Sequence, residues 1–285
     1  AAQSGITSLG TLTALTVNGN VSIDGGTIKL DGNYPTGTSN VALGNEALDS
    51  GSLSGSHNVA VGTSALTNNT SGIQNIAVGF EALGDNTTGC FNTGVGHGAL
   101  ALNTTTKCNT AIGYASLNNN IGTSNTALGK SSLQANTTAS NNTAVGTNSL
   151  LANTTGSENV AVGTIVLDAN TTGASNTGVG HEALSGNTTG IRNTAIGLGS
   201  MYTNTTGGCN TSLGYASLGA NTTGTRGVAV GLGALNGNTT GNNNTAVGKD
   251  ALNDNTTAAN NTAVGYESLS KNTTGTSLTA IGQLA

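Results

Sequence analysis

Aliphatic residues recur along this chain at a spacing too long for a helix or a strand period. From Asn40 onward a small–aliphatic–Gly block returns every 17 residues, as in Asn75, Asn92 and Asn109; the first step is 18 residues and the step from Asn109 to Asn125 is 16. The consensus is N-T-A-V-G-x-x-A-L-x-x-N-T-T-G-x-x, with fourteen full copies and a fifteenth that stops at Ala285. The seventeen positions are numbered here as columns. Column 4 is always aliphatic (Leu43 to Ile281), column 5 is always Gly (Gly44 to Gly282), and column 9 is Leu in every full copy except Met201. Columns 3 and 8 are small, with Val166 the exception in column 8. Columns 6 and 7 vary freely.

The block Thr-Ala-Val-Gly alternates β-favouring and small residues, and Asn, Gly and Thr are poor in helix interiors. Asn-Thr-Thr-Gly reads as a corner, because Asn and Gly tolerate positive φ. Two short strands per unit separated by such corners describe one coil of a solenoid. The expected fold is therefore all-β: a parallel β-solenoid (β-roll or β-helix) of about fifteen 17-residue coils over residues 40–285, preceded by a short β-rich leader over 1–39. Coils spaced about 4.8 Å apart would give a rod on the order of 70 Å long. In the leader, Ile6, Leu9, Leu12 and Leu15 lie three apart, and Asn18-Gly19, Asp24-Gly25 and Asp31-Gly32 are tight-turn signals. The boundary falls near the sole proline, Pro35.

The pattern predicts two large aliphatics per coil in the core, from columns 4 and 9, each worth roughly 1.5–3 kcal/mol when buried. That core is thin. Columns 3, 5 and 8 are expected to form a flat outer surface where another backbone can approach, which predicts association of several chains, most simply a homotrimer.

Composition sharpens this picture. Charged residues are 7% and aromatics 2% of the 285; Gly (45), Thr (49) and Asn (40) together make nearly half the chain. Collagen is excluded, since it needs Gly at every third residue and much Pro. A formal net charge of -5 with only seven basic residues argues against nucleic-acid binding, which needs clustered Lys and Arg. No run of about 20 apolar residues exists for a membrane-spanning helix, and no signal peptide is visible. A chain that starts at Ala1 and stops mid-motif suits an excerpt of a longer protein or a processed one.

The Asn-Thr-Ala-Val-Gly-x-x-Ala-Leu unit resembles the head repeats of trimeric autotransporter adhesins, and is similar to repeats in long bacteriophage tail fibres. The leader segment L-G-T-L-T-A-L-T-V-N-G-N over residues 9–20 is similar to segments that precede fibre repeats in phages. The adhesin resemblance implies a trimeric, left-handed parallel β-roll. Adhesin head repeats are typically shorter and lack the regular Asn-Thr-Thr-Gly corner, so the fibre resemblance fits the leader better.

Candidate chemistry is sparse. His97 and His181 share column 6 five coils apart, roughly 24 Å at solenoid spacing, too far to ligate one metal within a chain. No acid/base pair or nucleophile constellation is visible, so no catalytic residue, metal ligand or cofactor is assigned and an enzyme is not expected. A Cys90–Cys108 bridge is conceivable, but neighbouring columns tend to point opposite ways. The Asn-Thr-Thr corners, from Asn86 to Asn272, match the N-x-Thr acceptor pattern; a ladder of Asn side chains bonding coil to coil is the favoured reading. Ice binding needs Thr pairs two residues apart, whereas Thr87-Thr88 and its copies are adjacent. The residues left for surface contact are Phe80, His97, Tyr114, Lys130, Tyr215 and Tyr266. The expected role is a rigid rod of a virion tail fibre, or of an extracellular or cell-surface adhesin, touching a host glycan or protein receptor.

Overall fold

The protein is described by a computed structural model covering residues 38–285. The leader's expected strands and turns therefore lie outside the described residues. Fifteen three-residue strands run from β1 (Val41–Leu43) to β15 (Thr279–Ile281), one per coil, and no helix occurs among the described residues. They form one parallel sheet in strict sequence order. Register is kept from coil to coil, as in Thr126↔Thr143 and Thr143↔Val160. This is a β-solenoid of about 14 turns, as the repeat predicts.

Each coil carries one strand where two are expected. The remainder of the coil turns through residues at positive φ, and these are not the corner Asn and Gly. Positive φ falls on column 5, as at Gly146 (φ 126°), and on columns 7, 9 and 17, as at Asn148 (56°), Leu150 (51°) and Glu158 (63°). A leucine in the left-handed region is disfavoured by its Cβ. Coil-to-coil hydrogen bonds hold it there: Leu150 N–H donates to the Val166 carbonyl (2.9 Å), Asn148 N–H to the Lys130 carbonyl (3.0 Å) and Gly163 N–H to the Val145 carbonyl (2.8 Å). The backbone ladder thus continues well beyond the strand.

The core is also arranged differently from the expectation. Column 9 fills it, with Leu48 to Leu252 fully buried, and columns 3 and 8 pack against that leucine stack. Small side chains there are interior filling and offer no docking surface. Column 4 points outward; Leu213 is 46% exposed and Ile196 39%. The reason is strand parity: columns 2 and 4 flank column 3 and must face opposite to it. Volume is balanced between coils. Val166, the large residue of column 8, sits against Gly178, where a Cβ would come within 2.6 Å of the valine Cγ1.

Column 5 admits glycine alone. A Cβ on Gly146 would sit 2.2 Å from the Gly163 carbonyl oxygen, at a φ that L side chains rarely adopt. Gly146→Ala is accordingly expected to destabilise by about 1–3 kcal/mol from the dihedral alone, with the clash in addition. Leu150→Ala is expected to lose about 2–5 kcal/mol by opening a cavity. Both are checked by the denaturant midpoint at constant slope.

Candidate functional site

Two columns of asparagine run through the interior. Column 1 (Asn58 to Asn261) and column 12 (Asn69 to Asn255) are essentially without solvent exposure. In the third coil, Asn75 Nδ2 donates to the Gly89 carbonyl (2.8 Å), and Asn86 Nδ2 donates to the same carbonyl (3.1 Å). Between coils, Asn75 N–H donates to Asn58 Oδ1 (2.9 Å) and Asn86 Nδ2 to Asn69 Oδ1 (2.8 Å). Column 15 lies between the two ladders and stays small in nearly every coil: a Cβ on Gly89 would be 2.3 Å from Asn86 Oδ1, while Ala139, Ala258 and Thr106 hold the same place in three other coils. The short step at residues 109–124 is absorbed in this corner. Asn120 still bonds Asn103 Oδ1 (3.3 Å) and receives Asn136 Nδ2 (2.7 Å), although the Asn120-Ile121-Gly122 corner lacks one residue. The N-x-Thr asparagines are therefore consumed structurally, as the ladder reading has it.

Thr in column 13 does the same outside: Thr87 Oγ1 donates to the Thr104 carbonyl (3.0 Å). Its neighbour Thr88 is exposed, so each adjacent pair presents one free threonine.

All nineteen charged side chains except the three in the leader stand on columns 6, 7, 10, 11, 16 and 17. These are the chemically variable positions. The six residues selected from the sequence are all exposed, and all lie in column 6. Three of them form one stack: the Phe80 and His97 rings are 5.0 Å apart, and His97 and Tyr114 5.2 Å. Lys130 is the next residue of that column. Lys249 lies 5.2 Å from the Tyr266 ring and 3.3 Å from Asp250, whose carboxylate raises the lysine pKa. Tyr215 stands apart from both groups. It lines a cleft of about 370 Å³ with Tyr202, Leu198 and Asn236. Tyr202 stands in column 10, outside the variable columns 6 and 7 in which the sequence places the contact residues.

No group of three or more His, Cys, Asp or Glu able to hold a metal occurs among the described residues. His181 meets Glu182 (3.7 Å) on the surface. Cys90, Cys108 and Cys209 are free thiols, and the Cys90 Sγ donates to the Thr88 carbonyl (3.3 Å), so the conceivable bridge is not formed.

Asp168 Oδ1 is the single buried side-chain atom without a hydrogen-bond partner among the described residues. Burial raises its pKa, against the opposing bond from Ser185. The folded state therefore holds the proton more tightly than the unfolded chain, and stability falls as pH rises from the ordinary carboxylate value through the raised one. Asp168→Asn should raise the melting temperature at pH 7, with the gain vanishing near pH 3.

For the ladder, Asn153→Asp should cost at least about 2 kcal/mol at pH 7, since it replaces a buried donor by an anion. Asn119→Asp, on an exposed position, should stay within about 0.5 kcal/mol. Denaturation of the two variants side by side checks this. Comparison with family profiles, with curated protein sequences and with solved structures gives no match to this chain.

Proposed function

We propose that this chain is the shaft of an attachment fibre, a rigid non-enzymatic rod built from several copies. The observation that carries the reading is the outward face of the sheet. Columns 2 and 4 contribute thirty side chains over β1–β15, all of them Thr, Val, Ile or Leu, and none is charged. Every charge of the solenoid is kept to other columns. An uncharged stripe this long, two thirds of it aliphatic, exceeds the largest apolar patch that a typical monomer exposes, about 300–600 Å².

The occupant of that stripe is the same stripe on further copies. Fifteen strands at about 4.8 Å and three residues at about 3.3 Å give a face of roughly 700 Å² per chain, close to the ~800 Å² per partner of a standard stable interface. Self-association needs no charge complementarity, which suits a face without charges. Three chains with this face turned to a common axis leave the variable columns outside. A homotrimer is thus retained as the assembly, on columns 2 and 4 in place of columns 3, 5 and 8. The outer columns then serve as the contact surface for a host. A virion tail fibre is the first setting, supported by the resemblance of the repeat and of the leader; an adhesin or extracellular filament of a bacterium uses the same rod.

One observation favours a second reading, ice binding. Column 2 is Thr in ten of the fifteen strands, a regular single file of hydroxyls on the flat face in which an aliphatic of column 4 stands where the second Thr of each pair would be.

Light scattering of the purified chain at micromolar concentration should give three copies. Val145→Lys combined with Val162→Lys should give monomers whose circular dichroism keeps its β form. A wild-type monomer overturns the multi-chain rod, and a monomer with thermal hysteresis assigns the face to ice. Negative-stain images showing slender rods attached to virions or cells support the fibre.

A further inference from the structure

We infer that the cleft between Tyr202 and Tyr215 is a saccharide-binding subsite, taking one or two pyranose units on the side of the rod. The inference rests on the fibre reading for its biological sense, but its geometry stands separately.

The repeat is locally altered to make this cleft. In other coils columns 10 and 11 can hold larger side chains together, such as Asn118 and Asn119, or Asn253 and Asp254. Between the two tyrosines they become Gly219 and Ala220, and column 7 becomes Gly199 and Ala216. Four small residues thus meet in one floor, bounded by Glu182 of the coil before and Asn236 of the coil after. Above it stand two half-exposed phenol rings, Tyr202 at 47% and Tyr215 at 56%. The cleft volume, about 370 Å³, lies at the lower end of the ~300–1,000 Å³ typical of ligand sites.

Ring availability separates this place from the other aromatic cluster. In the Phe80–His97–Tyr114 stack, each ring covers a face of its neighbour. Tyr215 has Leu198 and Leu232 as its neighbours in column 6, so no aromatic partner precedes or follows it there. Aromatic side chains supply large contact area with a polar handle.

Polar groups converge on the same floor. The Asn236 amide lies over Gly219, where a Cβ would come within 2.5 Å of its Oδ1. Glu182 lines the cleft from the coil before. Thr203 is already committed: its hydroxyl donates to the Gly219 carbonyl (2.9 Å) and the Asn221 carbonyl (3.2 Å), which fixes the wall. An apolar ring-sized floor between aromatic walls, with an amide and a carboxylate at the rim, matches a sugar ring. Its C–H face would lie on the phenol ring and its hydroxyls would reach the rim acceptors and donor. A phosphate or sulfate group is disfavoured, because Glu182 is the one charged residue lining the cleft.

The test is saturation-transfer NMR and titration of the purified full chain with glucose, galactose, mannose and N-acetylglucosamine. At least one sugar should bind with a dissociation constant in the millimolar range. Tyr215→Ala, Tyr202→Ala and the cleft-filling Ala220→Arg should each weaken it roughly tenfold or more. Ile121→Ala, on an exposed residue far along the chain, should leave it unchanged. Circular dichroism confirms that each variant folds. No binding of any of the four sugars, or binding that survives all three cleft variants, overturns the inference. So does binding of an apolar dye or peptide at the cleft with no sugar bound. Oligomeric state is read separately, so a monomer that binds sugar overturns the rod alone, and a trimer that binds none overturns the cleft alone.

Discussion

The interaction on which the structure depends is the bond from one coil to the next. A single coil cannot satisfy its own backbone. Leu150 needs the Val166 carbonyl, Gly163 needs the Val145 carbonyl, and Asn75 needs Asn58 Oδ1, each in a neighbouring coil. Unpaired buried amides would each carry a penalty of about 1–3 kcal/mol. The chain therefore gains by repeating one geometry, since any coil that changes shape leaves the ladders above and below unmatched. This is why columns 1, 5, 9 and 12 barely vary while columns 6, 7, 10 and 11 vary freely. The invariant columns are those whose side chain, or lack of one, the next coil depends on; the variable columns bond to other coils through backbone atoms, whatever side chain they carry.

That constraint also explains the composition. With one large aliphatic per coil in the core, hydrophobic burial alone is thin. The interior is completed by hydrogen-bonded amides, as where the Gly89 carbonyl accepts from both Asn75 and Asn86. A polar network of this kind stabilises when every member is paired. It requires backbones in close approach, so the columns beside it are Gly and Ala. Much of the abundance of Asn is thus a property of the core, where columns 1 and 12 are buried.

The repeat length, the β class and the parallel stacking were legible in the sequence because copies within one chain separate constrained columns from free ones. The direction of each side chain was less so. Val at column 4 reads as core by hydropathy, yet parity with the buried Ala195 or Ala229 sends Ile196 and Val230 outward. Nor could sequence place Leu at positive φ, because local preference argues against it at every copy. The preference is overridden only once the neighbouring coil supplies an acceptor for its N–H. In the candidate site, column 6 was legible as variable and exposed. The Tyr202–Tyr215 cleft was not, because its two walls come from different columns of different coils, and its floor is recognised by residues that are missing.

Reversing the outward and inward columns changes what the rod can do. Had the small columns faced out, the surface would be nearly featureless and association would depend on backbone proximity. With Val, Ile, Leu and Thr outside, one side of every coil carries an apolar demand that accumulates along fifteen strands, while the charges collect on the other sides. In the proposed assembly, burial of that stripe against identical stripes would add a second apolar layer to a thin single-chain core. It would also leave the side chains of columns 6, 7, 10 and 11 free, since those columns join the ladders through backbone atoms, as in Asn148 N–H to the Lys130 carbonyl. Those columns can accept a Phe80–His97–Tyr114 stack in one stretch and a glycine-floored cleft in another without disturbing the frame. A solenoid whose frame is fixed by some columns, and whose surface chemistry is set by others, can change what it touches while keeping the same fold.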